Sequence, residues 1–468
     1  MRTALPLLAT LAVSLAVAFH ATQASAQAAS TPVEVTAELA GHAFLPFSTA
    51  VAAPKDAGAF FATAGKFANG NRTRNEVLGS EKANTFVGDP KAPRASGGTL
   101  PIKGQSVQGF SGIVALDRNH YLVLTDNGFG NKINSQDALL MVHNVKVDWQ
   151  SGKATREKTT FLHDPDRKVP FAIQNEATEK RYLTGVDFDP ESIQIVGKEW
   201  WIGDEFGPYV LRVTPQGRVL GVIETKVGDK TYRSPDHYLN GRLGNLPSDN
   251  IPGWDARRSG GFEPMAKSPD GAKLYPMFEW PLYDAGTKAF ESNNGKPFTR
   301  ILELDVASKA YTGKTWKYRF EEAGNIAADF QLLDATTGLV IERDDVSEGV
   351  APACPAEPLR TDCFTRPAKF KRIYKIDLAA ADAEGFVRKV AFIDLTKIAN
   401  PKRLARLGPN EEVFALPHLG PEGLTIVDAE HIVVVNDNNF PYSSARQIGK
   451  PDDDEITLLN IRTLIDAK

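Results

Sequence analysis

The sequence predicts an all-β fold made by radial repetition, and three observations carry that expectation. One strand–turn–strand unit returns five times between residues 109 and 439. Segments between the units alternate polar and apolar residues at period two, with the β-branched and aromatic side chains that suit a pleated sheet. Strand-like stretches are also left over at both chain ends. Repetition around an axis is one way an antiparallel protein protects its sheet edges. A β-propeller is therefore expected, six-bladed and closed by strands from both ends. A β-sandwich, or two small β domains, is the alternative.

The units follow in order. The first spans 109–128 and turns at Asp117-Arg118-Asn119; the second spans 189–207 and turns at Gly197-Lys198. The third, 261–280, turns around Pro269-Asp270-Gly271, and the fourth and fifth span 328–345 and 420–439. Ser111 and Asp126 are 15 residues apart, Glu191 and Asp204 13, Asp329 and Asp344 15, and Glu422 and Asp437 15. Successive units start 66 to 93 residues apart, more than the roughly 40–45 residues of a minimal four-stranded blade. Each has room for two further strands and a rim loop. Amphipathic candidates for those strands lie at 209–217, 219–225, 300–306, 315–321, 370–378 and 387–395. A sixth sheet would join residues 31–55 to 455–464. Long loops are expected at about 66–108, 229–260 and 346–368.

Composition narrows the class. With 42% hydrophobic and 24% charged residues, the chain can build a large core. Its one long apolar stretch, Leu5 to Phe19, follows Arg2 and precedes Ala24-Ser25-Ala26. That is the pattern of a cleaved signal peptide over residues 1–26, leaving 27–468 as one domain in the periplasm or medium. An uncleaved anchor is the alternative, although about 15 apolar residues are short for a bilayer. A multipass membrane protein is excluded. The net charge of −4, without a basic block, argues against a nucleic-acid partner. Cys354 and Cys363 enclose eight residues of a Pro-rich segment, and after export a local disulfide is expected. A thiol pair in catalysis or a zinc site lacks further ligands nearby.

The acidic residues suggest chemistry. Glu191, Glu263, Asp329 and Glu422 begin the first strands of their units at matching offsets. Radial repetition would bring them together, where like charges raise one another's pKa unless a cation neutralises them. Ca²⁺ takes carboxylate, carbonyl, amide and water oxygens, so it is the expected cofactor, its number open. Asp126, Asn127, Asp204, Glu205, Asp344, Asp437 and Asn438 close the second strands and would form a further layer. The ordinary alternative is that such residues cap hairpins by bonding backbone amides. Zinc is disfavoured because no HExxH or paired Cys/His spacing occurs. Neither a G-x-S-x-G elbow nor a phosphate-binding glycine loop is present. Ser111, in Gly109-Phe110-Ser111-Gly112, suits tight strand packing as well as nucleophilic attack. His418 is a candidate acid/base or substrate group, or simply an exposed loop histidine. Arg181, Arg343 and Lys267 are candidate substrate-binding cations, or partners of adjacent carboxylates.

Several of these stretches occur together in one family. RYLTGVDFDPESI…WWIGDEFGPYVLRV, GFEPMAKSPDG, the ERDD closing the fourth unit and LPHLGPEGL…VVVNDNN resemble the phytase-like family, described as "esterase-like activity of phytase". The resemblance covers most of 105–460. It implies an exported β-propeller with phosphoester or carboxyester hydrolysis. It marks Glu191, Asp204, Glu205, Glu263, Glu342, Arg343, Asp344, Glu422, Asp437 and Asn438 as pattern positions; Asp329 stands where the other units carry Glu. The expected function is a calcium-dependent phosphoester hydrolase, with Glu422, Glu191, His418 and Asp344 as catalytic candidates. Glu191, Glu263, Asp329, Glu422, Asp204 and Asp437 are the candidate metal ligands. A carboxylesterase or lactonase, and a non-catalytic binding propeller with structural calcium, are the alternatives. The expected partner is a small ester or phosphoester, with no nucleic acid, no membrane after leader removal, and a monomeric chain.

Overall fold

The computed structural model describes residues 31–68, 81–85, 94–240, 253–350, 352–355, 357–358 and 360–468. The expected signal peptide lies outside the described residues.

Twenty strands make five four-stranded antiparallel sheets. β1 is Glu38–Leu45. The first sheet holds β2 (Phe110–Ala115), β3 (His120–Thr125), β4 (Met141–Asp148) and β5 (Lys153–Phe161). The second holds β6 (Pro190–Val196), β7 (Glu199–Asp204), β8 (Tyr209–Val213) and β9 (Val219–Glu224). The third holds β10 (Phe262–Lys267), β11 (Lys273–Phe278), β12 (Lys296–Asp305) and β13 (Ala310–Arg319). The fourth holds β14 (Asn325–Leu332), β15 (Thr337–Asp344), β16 (Lys371–Asp377) and β17 (Arg388–Asp394). The fifth is β18 (Gly420–Ile426), β19 (His431–Asp437), β20 (Asp454–Asn460) and, outermost, β1 from the other end of the chain.

The first strands β2, β6, β10, β14 and β18 pack in that order, and β18 packs back on β2. The ring is closed and propeller-like. Each gap between neighbouring sheets is filled by its own apolar layer, such as Leu124 and Val142 against Ile193 and Ile202, or Trp201 and Val210 against Met265 and Leu302. The ring is tight at its centre. A Cβ on Gly423 would lie 2.8 Å from the Ser111 carbonyl oxygen. The glycine beside Ser111 likewise serves packing.

Six blades were expected; the described residues form five four-stranded units, with two-stranded ribbons beside them. The two chain ends do meet in one sheet: β1 pairs with β20 from Glu38–Asn460 to Leu45–Asp454. They complete the fifth unit, which otherwise has only the pair β18–β19, rather than forming a sheet of their own. The C-terminal strand also stops earlier than expected, at Asn460, and a short helix α1 (Arg462–Asp466) follows. A two-residue strand, Val33–Glu34, lies parallel to Ala391–Phe392 on the edge of the fourth sheet. Cys354 and Cys363 are joined by a disulfide.

Candidate metal centre

Each first strand carries a bulge near its start, where one extra residue escapes the ladder. Ser111, Glu191, Ala328 and Glu422 are the unpaired residues in four strands. In β10 the extra residue falls within Glu263-Pro264. Proline is tolerated at such a break because no ladder hydrogen bond is needed there. A bulge turns a side chain out of the alternation, so Glu191, Glu263 and Glu422 are presented in the same way at one end of the ring. Asp329 is not their counterpart. It sits one residue beyond the bulge and accepts hydrogen bonds from the amides of Leu424 and Phe330, both at 2.6 Å, and from Gln331. Its oxygens tie the fourth sheet to the fifth.

Two overlapping groups of buried carboxylates form at this end: Asp189, Glu191 and Glu205, and Glu205, Glu263 and Glu279. Within each group, one oxygen from every residue lies within 4.8 Å of the others. Asp189 is steered from the first sheet, accepting from the Asn127 amide at 3.2 Å and its Nδ2 at 2.7 Å. Glu205 follows β7, its amide donating to the Asp189 carbonyl at 3.0 Å. Gly261 lets the entry to β10 run over Glu205: a Cβ there would lie 2.4 Å from the Glu205 carbonyl oxygen. Glu279 follows β11 and donates its amide to Gly261.

Burial, followed by neighbouring like charges, pushes Glu191, Glu205 and Glu263 well above the usual carboxylate range. Asp189 is also raised by burial, and Glu279 is pushed up to about 7 by burial and then Asp345. Glu205 Oε1 and Glu263 Oε1 are buried without a hydrogen-bond partner. Oxygen-only donors with unsatisfied atoms fit a hard cation such as Ca²⁺, and a buried polar atom left unpaired is costly otherwise.

Glu422 is neutralised differently. Arg343 reaches across from β15, placing its Nη2 2.5 Å from Glu422 Oε1 and 3.9 Å from Glu263 Oε1. Burial opposes the guanidinium charge, but Glu422 and Glu263 hold it in place. Arg343 is thus an internal counter-ion of the cluster.

The other expected site residues are engaged elsewhere. Asp204 accepts from the Asp189 and Gly207 amides, each at 2.8 Å. Asp437 accepts from the Asn439 amide. Asp344 caps the turn after β15 through Val346, Ser347 and Phe370, with Lys371 3.5 Å away. Glu342 is fully occupied by Tyr318, Asn325, Lys389 and the Glu321 amide. Arg181 is buried against Asp164 and Glu176, and Lys267, at the far end of β10 from Glu263, donates to the Ile195 carbonyl. His418 is no exposed loop residue. It is buried with Nε2 3.1 Å from Glu455 Oε1 and Nδ1 3.5 Å from Asp452 Oδ2. Asp189 and Glu279 escaped sequence reasoning, although Asp189 stands two residues before Glu191 and Glu279 directly follows a second strand as Glu205 does.

The family signature described as "Phytase-like: Esterase-like activity of phytase" matches residues 105–440, from just before β2 to just after β19. The chain belongs to the phytase-like family. A further relative of the phytase-like chain is an uncharacterized secreted protein of Arthroderma benhamiae (strain ATCC MYA-4681 / CBS 112371), 28% identical over 162 residues. That match spans 30% of this chain and 28% of the relative. Among solved structures, a luciferin-regenerating enzyme is 8% identical, covers 84% of this chain and 94% of its own, and has a TM-score of 0.34. A structure from Bacteroides fragilis NCTC 9343, provisionally described as a 6-phosphogluconolactonase, is 11% identical with 75% and 86% coverage and a TM-score of 0.29. With TM-scores this low, the fold of the phytase-like chain rests on its own sheet topology. Among the described residues, no helix is long and apolar enough to cross a membrane.

Proposed function

We propose that this phytase-like chain is an exported, Ca²⁺-dependent hydrolase of phosphoesters. The supporting observation is the convergence of Asp189, Glu191, Glu205, Glu263 and Glu279 with partnerless buried oxygens on Glu205 and Glu263. Export is supported by the leader pattern in the sequence and by the secreted relative. A bound divalent cation supplies Lewis-acid polarisation of the ester or phosphoryl oxygen. The carboxylates hold that charge, Asn127 fixes the orientation of Asp189, and Arg343 offsets charge that would repel an anionic substrate. Glu422, outside both carboxylate groups, is the group assigned to accept a proton from water.

Aryl phosphates, phytate, aryl acetates and lactones, each assayed with and without Ca²⁺, test the reading. Phosphoester turnover is expected to need Ca²⁺ and to fall about a hundredfold or more in folded Glu422→Gln, with cation binding retained. Turnover of acetates or lactones alone transfers the assignment to a carboxylesterase or lactonase. Absence of turnover in every class leaves a binding protein with structural calcium.

A further inference from the structure

The two carboxylate groups meet in one residue. Glu205 belongs to both, with Asp189 and Glu191 completing one group and Glu263 and Glu279 the other. Oxygens within 4.8 Å of one another are spaced like neighbouring ligands around a cation with bonds of about 2.3–2.6 Å. Each group therefore satisfies the spacing requirement by itself. Charge counts in the same direction. Five carboxylates carry five negative charges when ionised; one divalent cation would leave three uncompensated in a buried site, and two would leave one. Arg343 offsets at most part of the difference, since its one charge is shared by Glu263 at 3.9 Å with Asp345 and Glu422, which lie closer and outside both groups. The partnerless oxygens match the division, with Glu205 Oε1 on the shared residue and Glu263 Oε1 in the second group. A carboxylate has two oxygens and about four lone-pair sites, enough to serve two ions at once.

Building on the cation-dependent reading above, we infer that the centre is binuclear: Glu205 bridges one cation held by Asp189 and Glu191 and a second held by Glu263 and Glu279. In two-metal hydrolases such ions stand about 3.5–4 Å apart.

Native mass spectrometry of the chelator-stripped chain titrated with Ca²⁺ reads the stoichiometry, and electron paramagnetic resonance with Mn²⁺ reads the bridge. The wild type is expected to take two Ca²⁺ and to show an exchange-coupled Mn²⁺ pair. Asp189→Asn and Glu279→Gln should each keep one ion and give an uncoupled Mn²⁺ signal, while Glu205→Gln loses both at concentrations that fill the wild type. Circular dichroism checks folding, and Glu191→Gln or Glu263→Gln replaces any variant that fails to fold. A single ion lost by variants on both sides, or two ions without coupling, overturns the inference. One ion with Ca²⁺-dependent phosphoester turnover refutes the pair and keeps the hydrolase. Two coupled ions without turnover keep the pair and remove the hydrolase. A folded wild type that binds no cation overturns both.

Discussion

A methyl group added at Gly112 would lie 3.0 Å from the Ile193 amide nitrogen and 3.1 Å from the Glu191 carbonyl oxygen. Backbone atoms of a neighbouring sheet cannot rotate away, so Gly112→Ala is expected to lower unfolding stability by about 1–3 kcal/mol, measured by urea denaturation. The same crowding fixes the strand that carries Glu191. At this scale the sequence was only partly legible. Acidic residues at strand starts and ends could be counted, but capping and clustering use the same residue types. Asp204 and Asp344 spend their oxygens on nearby amides, whereas Glu205, one residue beyond Asp204, keeps Oε1 unpartnered. Which outcome applies depends on the path of the backbone after the strand, and spacing does not encode that path. Asp329 misled for a related reason: one residue of slip at a bulge exchanges a ring-facing position for a ladder position.

At the scale of elements, period-two patterning was a good guide. The stretches read as strands at 209–217 and 387–395 contain β8 and β17, and 300–306 falls on the later part of β12. Strands β4 and β5 escaped notice: β5 is exposed along much of its length, with the run Lys153-Ala154-Thr155-Arg156-Glu157-Lys158, so its apolar alternation is weak. The disulfide was legible because two cysteines allow one pairing. It closes a small loop in the connection from β15 to β16, and its Cα atoms are 5.3 Å apart. Cross-linking such a loop restricts the unfolded chain, so Cys354→Ser with Cys363→Ser is expected to cost about 2 kcal/mol in chemical denaturation. The cation-binding stoichiometry should stay as in the wild type, since neither cysteine belongs to the carboxylate groups.

For the whole molecule, the fifth sheet is the seam, and its charges titrate. Glu455 on β20 accepts from His42 on β1 at 2.9 Å and from Arg446 Nε at 2.8 Å, with His418 at 3.1 Å. Burial works against a charged His418, but Glu455 and then Asp452 push it up to about 9. A histidine raised above its ordinary value of 6.5 stabilises fully below that value and loses its contribution as pH climbs through the folded one. Raising the pH from about 6.5 to about 9.5 is therefore expected to remove about 2–3 kcal/mol from the wild type. In His418→Asn the melting temperature should change much less over that range. An equally steep loss in both would refute the role. The count of sheets was misread at this scale because a chain end offers no repeat to measure against.

The seam also sets a timetable. β1 joins the fifth sheet along its whole length by pairing with β20, so one of the earliest strands made waits there for one of the last. Contacts so distant in sequence are slow to form and leave the intervening chain open until they do. A polypeptide emerging in order from a ribosome or a translocation pore holds the other four sheets' strands before its ring can shut. Circle closure is thus deferred to release, which keeps such a chain threadable for as long as it is being moved.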